Sequence, residues 1–208
     1  ISTPTAGTEA AAASGDLTLN APSSPSTNDL WIAVIHSSDQ VTHTLTDWTQ
    51  IAQGNGGGTT SHISVWQYRY TGSTPNLVVG HTAGDGIIGG IMQVRASDSL
   101  YRVILDQTGT ISAAADGSIE HTTVTPTVDF GALLLVNGSA DDNARTAIGG
   151  YIPVFEDSSG GTQNAFINTA GATDESIAVY FRDSMAAGTG TLSMTQAASD
   201  AWASYQIS

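Results

Sequence analysis

The chain has 208 residues, no cysteine and no lysine, and a net charge of −14 against which only five arginines supply positive charge. That balance argues against nucleic acid, which needs clustered Lys and Arg to displace counterions, and equally against anionic membranes. Disulfides are ruled out, no apolar run reaches bilayer-spanning length, and with 12% charged residues the surface must be covered by hydroxyls and amides.

The first residue is Ile1 and no signal peptide is recognisable, as expected of a processed or partial product. Taken in order, the chain reads as strand after strand. Glu9–Ala13 has helical propensity, but its counterpart Ile111–Ala115 runs into Asp116-Gly117, so both are expected as strand or loop. Leu30–His36, Ile63–Tyr70, Leu77–His81, Ile87–Arg95, Ala132–Val136, Ser176–Arg182 and Ala201–Ile207 are short and rich in β-branched and aromatic residues, the strand pattern. Turn residues cluster at Pro22–Asn28, Gly54–Thr60, Ala83–Gly86, Asp157–Gly161 and Ala186–Gly190. Leu100–Leu105 also has strand character, and no Pro- or Gly-rich linker divides the chain.

The sequence contains itself twice. Residues 7–37 align with 109–139 at a constant offset of 102, pairing Leu30–Val34 with Ala132–Val136. At an offset of 113, Tyr68-Arg69 meets Phe181-Arg182, and Ile91–Val94 meets Ser204–Ile207. An all-β, antiparallel β-sandwich of jelly-roll type with an internal two-fold repeat is therefore predicted. One unit over 1–208, built from repeats at about 5–96 and 107–208, is preferred to two tandem small sandwiches. On this alignment the face carrying Ser64, Trp66 and Tyr68 matches Ile177, Val179 and Phe181. Trp66, Tyr68 and Tyr70 could otherwise form a sugar platform, but the apolar match assigns that face to the core. Arg69 and Arg182 fall at equivalent places, each after an aromatic, so each is expected to pair with a carboxylate or stack on a ring.

Searches for catalytic chemistry find no P-loop, nucleophile elbow, zinc-protease motif or dinucleotide fingerprint. His36, beside Ser37 at the end of an apolar strand, is the best-placed imidazole, yet its counterpart is Gly138 and it reads as a strand-end residue. His43, His62, His81 and His121 are scattered, none at metal-ligand spacing. Asp141-Asp142-Asn143 and Glu156-Asp157 could offer hard oxygen ligands to calcium, but neither follows the calcium-loop order, and no metal or other cofactor is predicted. Asn137-Gly138-Ser139 matches a glycosylation sequon.

Three segments carry a resemblance. Asn28-Asp29-Leu30-Trp31-Ile32-Ala33, Asp47-Trp48-Thr49-Gln50-Ile51-Ala52 and Val65-Trp66-Gln67-Tyr68-Arg69 resemble the G-D-L-L-L-A strand, G-W-T-L-L turn and V-Y-Y-R strand of a β-sandwich family. Gly89–Val94, Phe130–Leu134, Val179–Arg182 and Ser199–Ala203 are similar to its other pieces. That family occurs in tailed-phage virion proteins and bacterial exported proteins. The chain departs from it at Asp47, where Gly is usual, and lacks the Pro-rich approach to that turn. The resemblance implies display on a particle or cell surface and contact with a host or lattice, with no catalytic residues.

The expected function is therefore a non-enzymatic virion structural protein, a capsid decoration or appendage docking on a repeating lattice. Its partner would be the major capsid protein or another virion protein. A homo-oligomer is expected, and a trimer would suit a lattice threefold. The alternative is a carbohydrate-binding or adhesive module at a cell surface, which requires Trp31, Trp48, Trp66 or Tyr151 to be exposed in an aromatic row. A polysaccharide hydrolase stands third. Trp48, Trp66, Tyr68, Arg69, Phe181, Arg182 and Trp202 are the residues expected to matter, all structurally.

Overall fold

Side chains alternate across a strand, so a strand that is apolar at every position must have something to bury on both sides. Leu30–Ser37 meets that condition: every one of its residues is buried in the computed structural model. That structure describes residues 2, 4–82, 85–127, 131–140, 145, 150–155, 166–168, 175–185 and 192–208. Among these the strands, in chain order, are β1 (Thr5–Ala6), β2 (Ala10–Ala12), β3 (Leu17–Thr18), β4 (Leu30–Ser37) and β5 (Thr44–Leu45). They continue with β6 (Thr49–Asn55), β7 (His62–Arg69), β8 (Val78–Gly80), β9 (Ile87–Val94) and β10 (Ser112–His121). The last five are β11 (Gly131–Ser139), β12 (Ile152–Phe155), β13 (Phe166–Asn168), β14 (Glu175–Met185) and β15 (Leu192–Ile207). No helix occurs among the described residues, and the chain is all-β and antiparallel.

Two large sheets and one small one result. The first runs β1-β9-β4-β7-β6, with β2 also on β9; the second runs β10-β15-β11-β14-β12, with β13 also on β14. The third, β3-β8-β5, has three strands. Even-numbered residues of β4 (Leu30, Ile32, Val34) join Val65 and Met92 in a core shared with Leu134, Val136, Val179, Phe181 and Tyr205 of the second large sheet. Odd-numbered ones (Trp31, Ala33, Ile35) enter a second core, under the small sheet, with Leu17, Leu45, Trp66 and Val79. The outer face of the second large sheet has its own cluster around Leu133, Leu135, Tyr180 and Trp202. Full burial of each large aliphatic side chain supplies about 1.5–3 kcal/mol, so one strand feeding two cores is a large share of the driving force.

Strand pairing does not follow the ungapped sequence match. Leu30 sits between Arg69 and Val94, and Leu134 sits between Phe181 and Ile207, while Arg182 lies opposite Leu133. Trp66 and Tyr68 lie under the small sheet, whereas Ile177, Val179 and Phe181 face the core between the large sheets. A slip of one residue exchanges the two faces of a strand, and this is the slip that an ungapped match of Tyr68-Arg69 to Phe181-Arg182 makes. Leu100–Leu105 also departs from expectation. It forms no strand, and Leu100, Tyr101 and Ile104 are 86%, 71% and 64% exposed.

The large sheets approach closely where His36 meets the second sheet. A Cβ on Gly138 would overlap the His36 ring, and one on Gly57 would overlap the backbone of Ala114. The Gly57 amide also donates across to the carbonyl of Trp202 at 3.1 Å. Gly138→Ala is expected to cost about 1–3 kcal/mol in urea denaturation, the usual range for overpacking. Combining it with His36→Ala should cost clearly less than the sum of the two single changes, because the three atoms nearest the added Cβ all belong to His36.

Candidate functional site

Four histidines that are far apart in sequence converge in the first half of the molecule. His36 ends β4, His43 precedes β5, His62 opens β7 and His81 follows β8, and all four are buried. The His43 ring lies 4.9 Å from that of His62 and 5.7 Å from that of His81, edge to face. Buried polar groups must be hydrogen-bonded to one another, since the interior offers no water in exchange.

Their bonds form a chain with a fixed direction. The Trp66 indole N–H, which can only donate, gives to Ser64 Oγ at 2.9 Å. Ser64 Oγ then has its own proton to give, and His43 Nδ1 lies 2.8 Å away. His43 therefore carries its proton on Nε2, which donates to Ser37 Oγ at 3.0 Å. Ser37 Oγ passes its proton toward Asp39 Oδ1 at 3.0 Å. The carboxylate, which can only accept, ends the chain. It also takes the Val41 amide at 3.0 Å and His81 Nε2 at 2.9 Å. Beside this chain His36 Nε2 bonds Ser61 Oγ at 2.9 Å, and His62 Nδ1 donates to Asn55 Oδ1 at 2.8 Å.

The Ser64–His43 pair has the polarity of a nucleophile and its base. Ser64, Ser37 and His43 are nonetheless buried, with no surface to offer a substrate. The chain satisfies its own members, whereas His36 Nδ1, Ser38 Oγ and His62 Nε2 beside it have no hydrogen-bond partner among the described residues. Burial pushes the His36 imidazole down to about 3, helped by the charge of Arg145, and pushes His43 well below its ordinary value. His62 is lowered too, and burial takes His121 down to about 4. Burial alone would raise Asp39, but the bonds from Val41, His81 and Ser37 outweigh it and hold the carboxylate below its usual range.

The aromatics that the carbohydrate-binding alternative requires to be exposed are not on the surface. Trp31, Trp48, Trp66 and Tyr151 are all buried. Trp31 stacks on Tyr70 with centroids 5.0 Å apart and lies 6.4 Å from Trp48, whose indole donates to the Asn76 carbonyl at 2.9 Å. Half-buried Tyr68 gives its hydroxyl proton to the Ser73 carbonyl at 3.2 Å. Phe181 lies in the core between the large sheets, and Trp202 donates to Asp116 Oδ1 at 3.1 Å. Arg182 lies over the Tyr151 ring at 5.6 Å, an aromatic contact of the expected kind.

Arg69 meets the expectation of a carboxylate only in part. It hydrogen-bonds the carbonyls of Asn28, at 2.8 Å, and of Val103, and the Asp29 carboxylate acts on it through its charge. Among the described residues a two-bond ion pair forms that carries no sequence signal: Arg95 grips buried Asp29 through two bonds of 2.8 Å. The sequon asparagine, Asn137, is buried inside β11. Asp141, Asp142, Asn143, Glu156 and Asp157 lie outside the described residues. Among the described residues no group of three or more His, Asp or Glu is arranged to hold a metal ion.

The histidine cluster was missed because its members are far apart in sequence. A signal did exist, since four of the five histidines fall in the first 81 residues, two of them beside a serine. Comparison with protein-family models, curated proteins and solved structures finds no match for the chain.

The buried imidazoles make folding stability depend on pH. Their folded-state values lie below the unfolded value of 6.5, so below that pH the unfolded chain binds protons that the folded chain refuses. Stability is complete above pH 6.5 and falls as the pH drops toward the folded values. At pH 5, His36 and His121 should each remove about 2 kcal/mol relative to pH 7.5. Urea denaturation at the two pH values checks this, and substituting His36 by Gln should shrink the difference.

Proposed function

We propose that this protein is a non-enzymatic structural component of a virion, a decoration or appendage that docks through its surface on a repeating lattice of capsid or other virion protein. The supporting observation concerns the two turns that carry the family resemblance. Asn28 and Asp47 stand where the family has glycine, and each has left-handed backbone, with φ of 78° and 73°. Glycine adopts that conformation without cost, and Asn and Asp are the side chains that tolerate it best. The two departures from the motif therefore keep its geometry. Asp47 adds a bond of its own, accepting the Asn76 amide at 3.2 Å.

The same reading takes the halves as copies of one jelly-roll-type unit. In each large sheet the strand order is outer strand, last strand, central strand, penultimate strand, second outer strand: β1-β9-β4-β7-β6 and β10-β15-β11-β14-β12. One core lying between the copies favours a single unit over two tandem sandwiches. Burial of the hydroxyl and imidazole groups fits a role in architecture rather than turnover. Exposed Leu100, Tyr101 and Ile104, on the connection between halves, are the kind of apolar surface that contact with a partner would cover. Many equivalent contacts on a lattice would allow each to be weak.

Two measurements test this. In density-gradient fractions from the native source, the polypeptide should co-sediment with intact particles at high copy number, beside a major capsid protein. Recovery with cell envelope or as free exoprotein would sink the reading. For the motif, Asn28→Gly should leave stability nearly unchanged, whereas Asn28→Val should cost about 1–2 kcal/mol in the same denaturation assay.

A further inference from the structure

An apolar cavity of about 300 Å³ opens between the two large sheets near the start of β4, at the opposite end of that strand from His36. Ile32, Val94, Leu134, Phe181 and Ile207 form its walls. Its roof is the irregular segment 101–106, fastened where the Asp106 amide donates to the Ser208 carbonyl at 2.8 Å. The volume sits at the small end of ligand pockets.

The cavity mouth is charged in an unusual way for this chain. Arg69 holds the roof through the carbonyl of Val103. Arg102, exposed on the roof, lies near enough that its charge, after burial, helps lower the Arg69 guanidinium. Arg102 has no hydrogen-bond or carboxylate partner among the described residues. Asp106, the carboxylate on the lining, is engaged by the amide and hydroxyl of Thr127. Arg102 is thus a cation on the lining of a greasy space, in a protein of net charge −14, while the charge of Arg69 behind the roof is already met by the Asp29 carboxylate. A bound anion would give Arg102 the partner it lacks.

We propose that this cavity binds a small carboxylate amphiphile, with a medium-length alkyl chain between the sheets and the carboxylate at Arg102. The assignment rests on the cavity and Arg102, and holds or fails separately from where the protein resides.

Isothermal titration of the full chain with decanoate, and with decanol as the uncharged counterpart, tests it. Wild type should bind decanoate at one site. Arg102→Gln, an exposed change, should weaken decanoate roughly tenfold, as loss of a charge-assisted bond does, and leave decanol unaffected. Ala96→Phe, at the half-buried rim, should abolish both.

Methyl NMR of the wild type locates the ligand without relying on any variant to fold. Decanoate should shift the methyl signals of Ile32, Leu134 and Ile207 and leave Ile35 and Ile119 in place. No binding of decanoate by wild type, equal affinity in Arg102→Gln, or shifts confined to Ile35 or Ile119 would each overturn the assignment.

Discussion

The structure depends on β4 being covered twice. A sheet with one face in water needs apolar residues at every second position, and its exposed face can carry any polar group. Leu30–Ser37 has no such freedom, because its even positions meet the second large sheet and its odd positions meet the small one. Each later feature follows from that constraint. Trp31 has to fit among Trp48, Tyr68 and Tyr70, and His36 has to fit against a glycine. At its carboxyl end the strand turns polar while still enclosed.

Enclosure explains the hydrogen-bonded chain from Trp66 to Asp39. An unpaired buried polar group costs about 1–3 kcal/mol, so the five side chains of this chain are tolerable together because each finds a partner. A donor-only indole at one end and an acceptor-only carboxylate at the other leave a single self-consistent arrangement of protons. The network specifies one tautomer of His43 and so one register of the loops that carry it. Its components resemble a catalytic relay, yet burial turns them into a means of satisfying the interior.

Much of this fold is legible in the sequence, and the boundary of legibility is physical. The strands containing Leu30–His36, Ile63–Tyr70 and Ile87–Arg95 stand out because β-branched runs end in turn residues, and each is found within a residue of its expected limits. Which way their side chains point is harder. Trp66 and Val179 look equivalent in an ungapped alignment, but parity reverses with one residue of slip, and only strand pairing fixes it. Leu100–Leu105 shows the converse. Its residues suit a strand, but a strand needs a neighbour to bond, and β9 already has β4 on one side and β1 with β2 on the other. The histidine cluster is long-range by nature, so composition could hint at it without placing it. Arg69 follows an aromatic in sequence, whereas its hydrogen-bond partners come from Asn28 and from the connection between the halves.

The short Gly56–Gly58 turn reaches past its own sheet, bonding Trp202 through the Gly57 amide and crowding the backbone of Ala114. A hydrophobic core by itself resists separation but offers little against sliding, since apolar contacts have no direction. The backbone bond supplies the missing direction at one corner, as a dowel does between two boards. Shear between the large sheets must stretch that bond, so part of a load applied along the strands falls on the Gly57 amide.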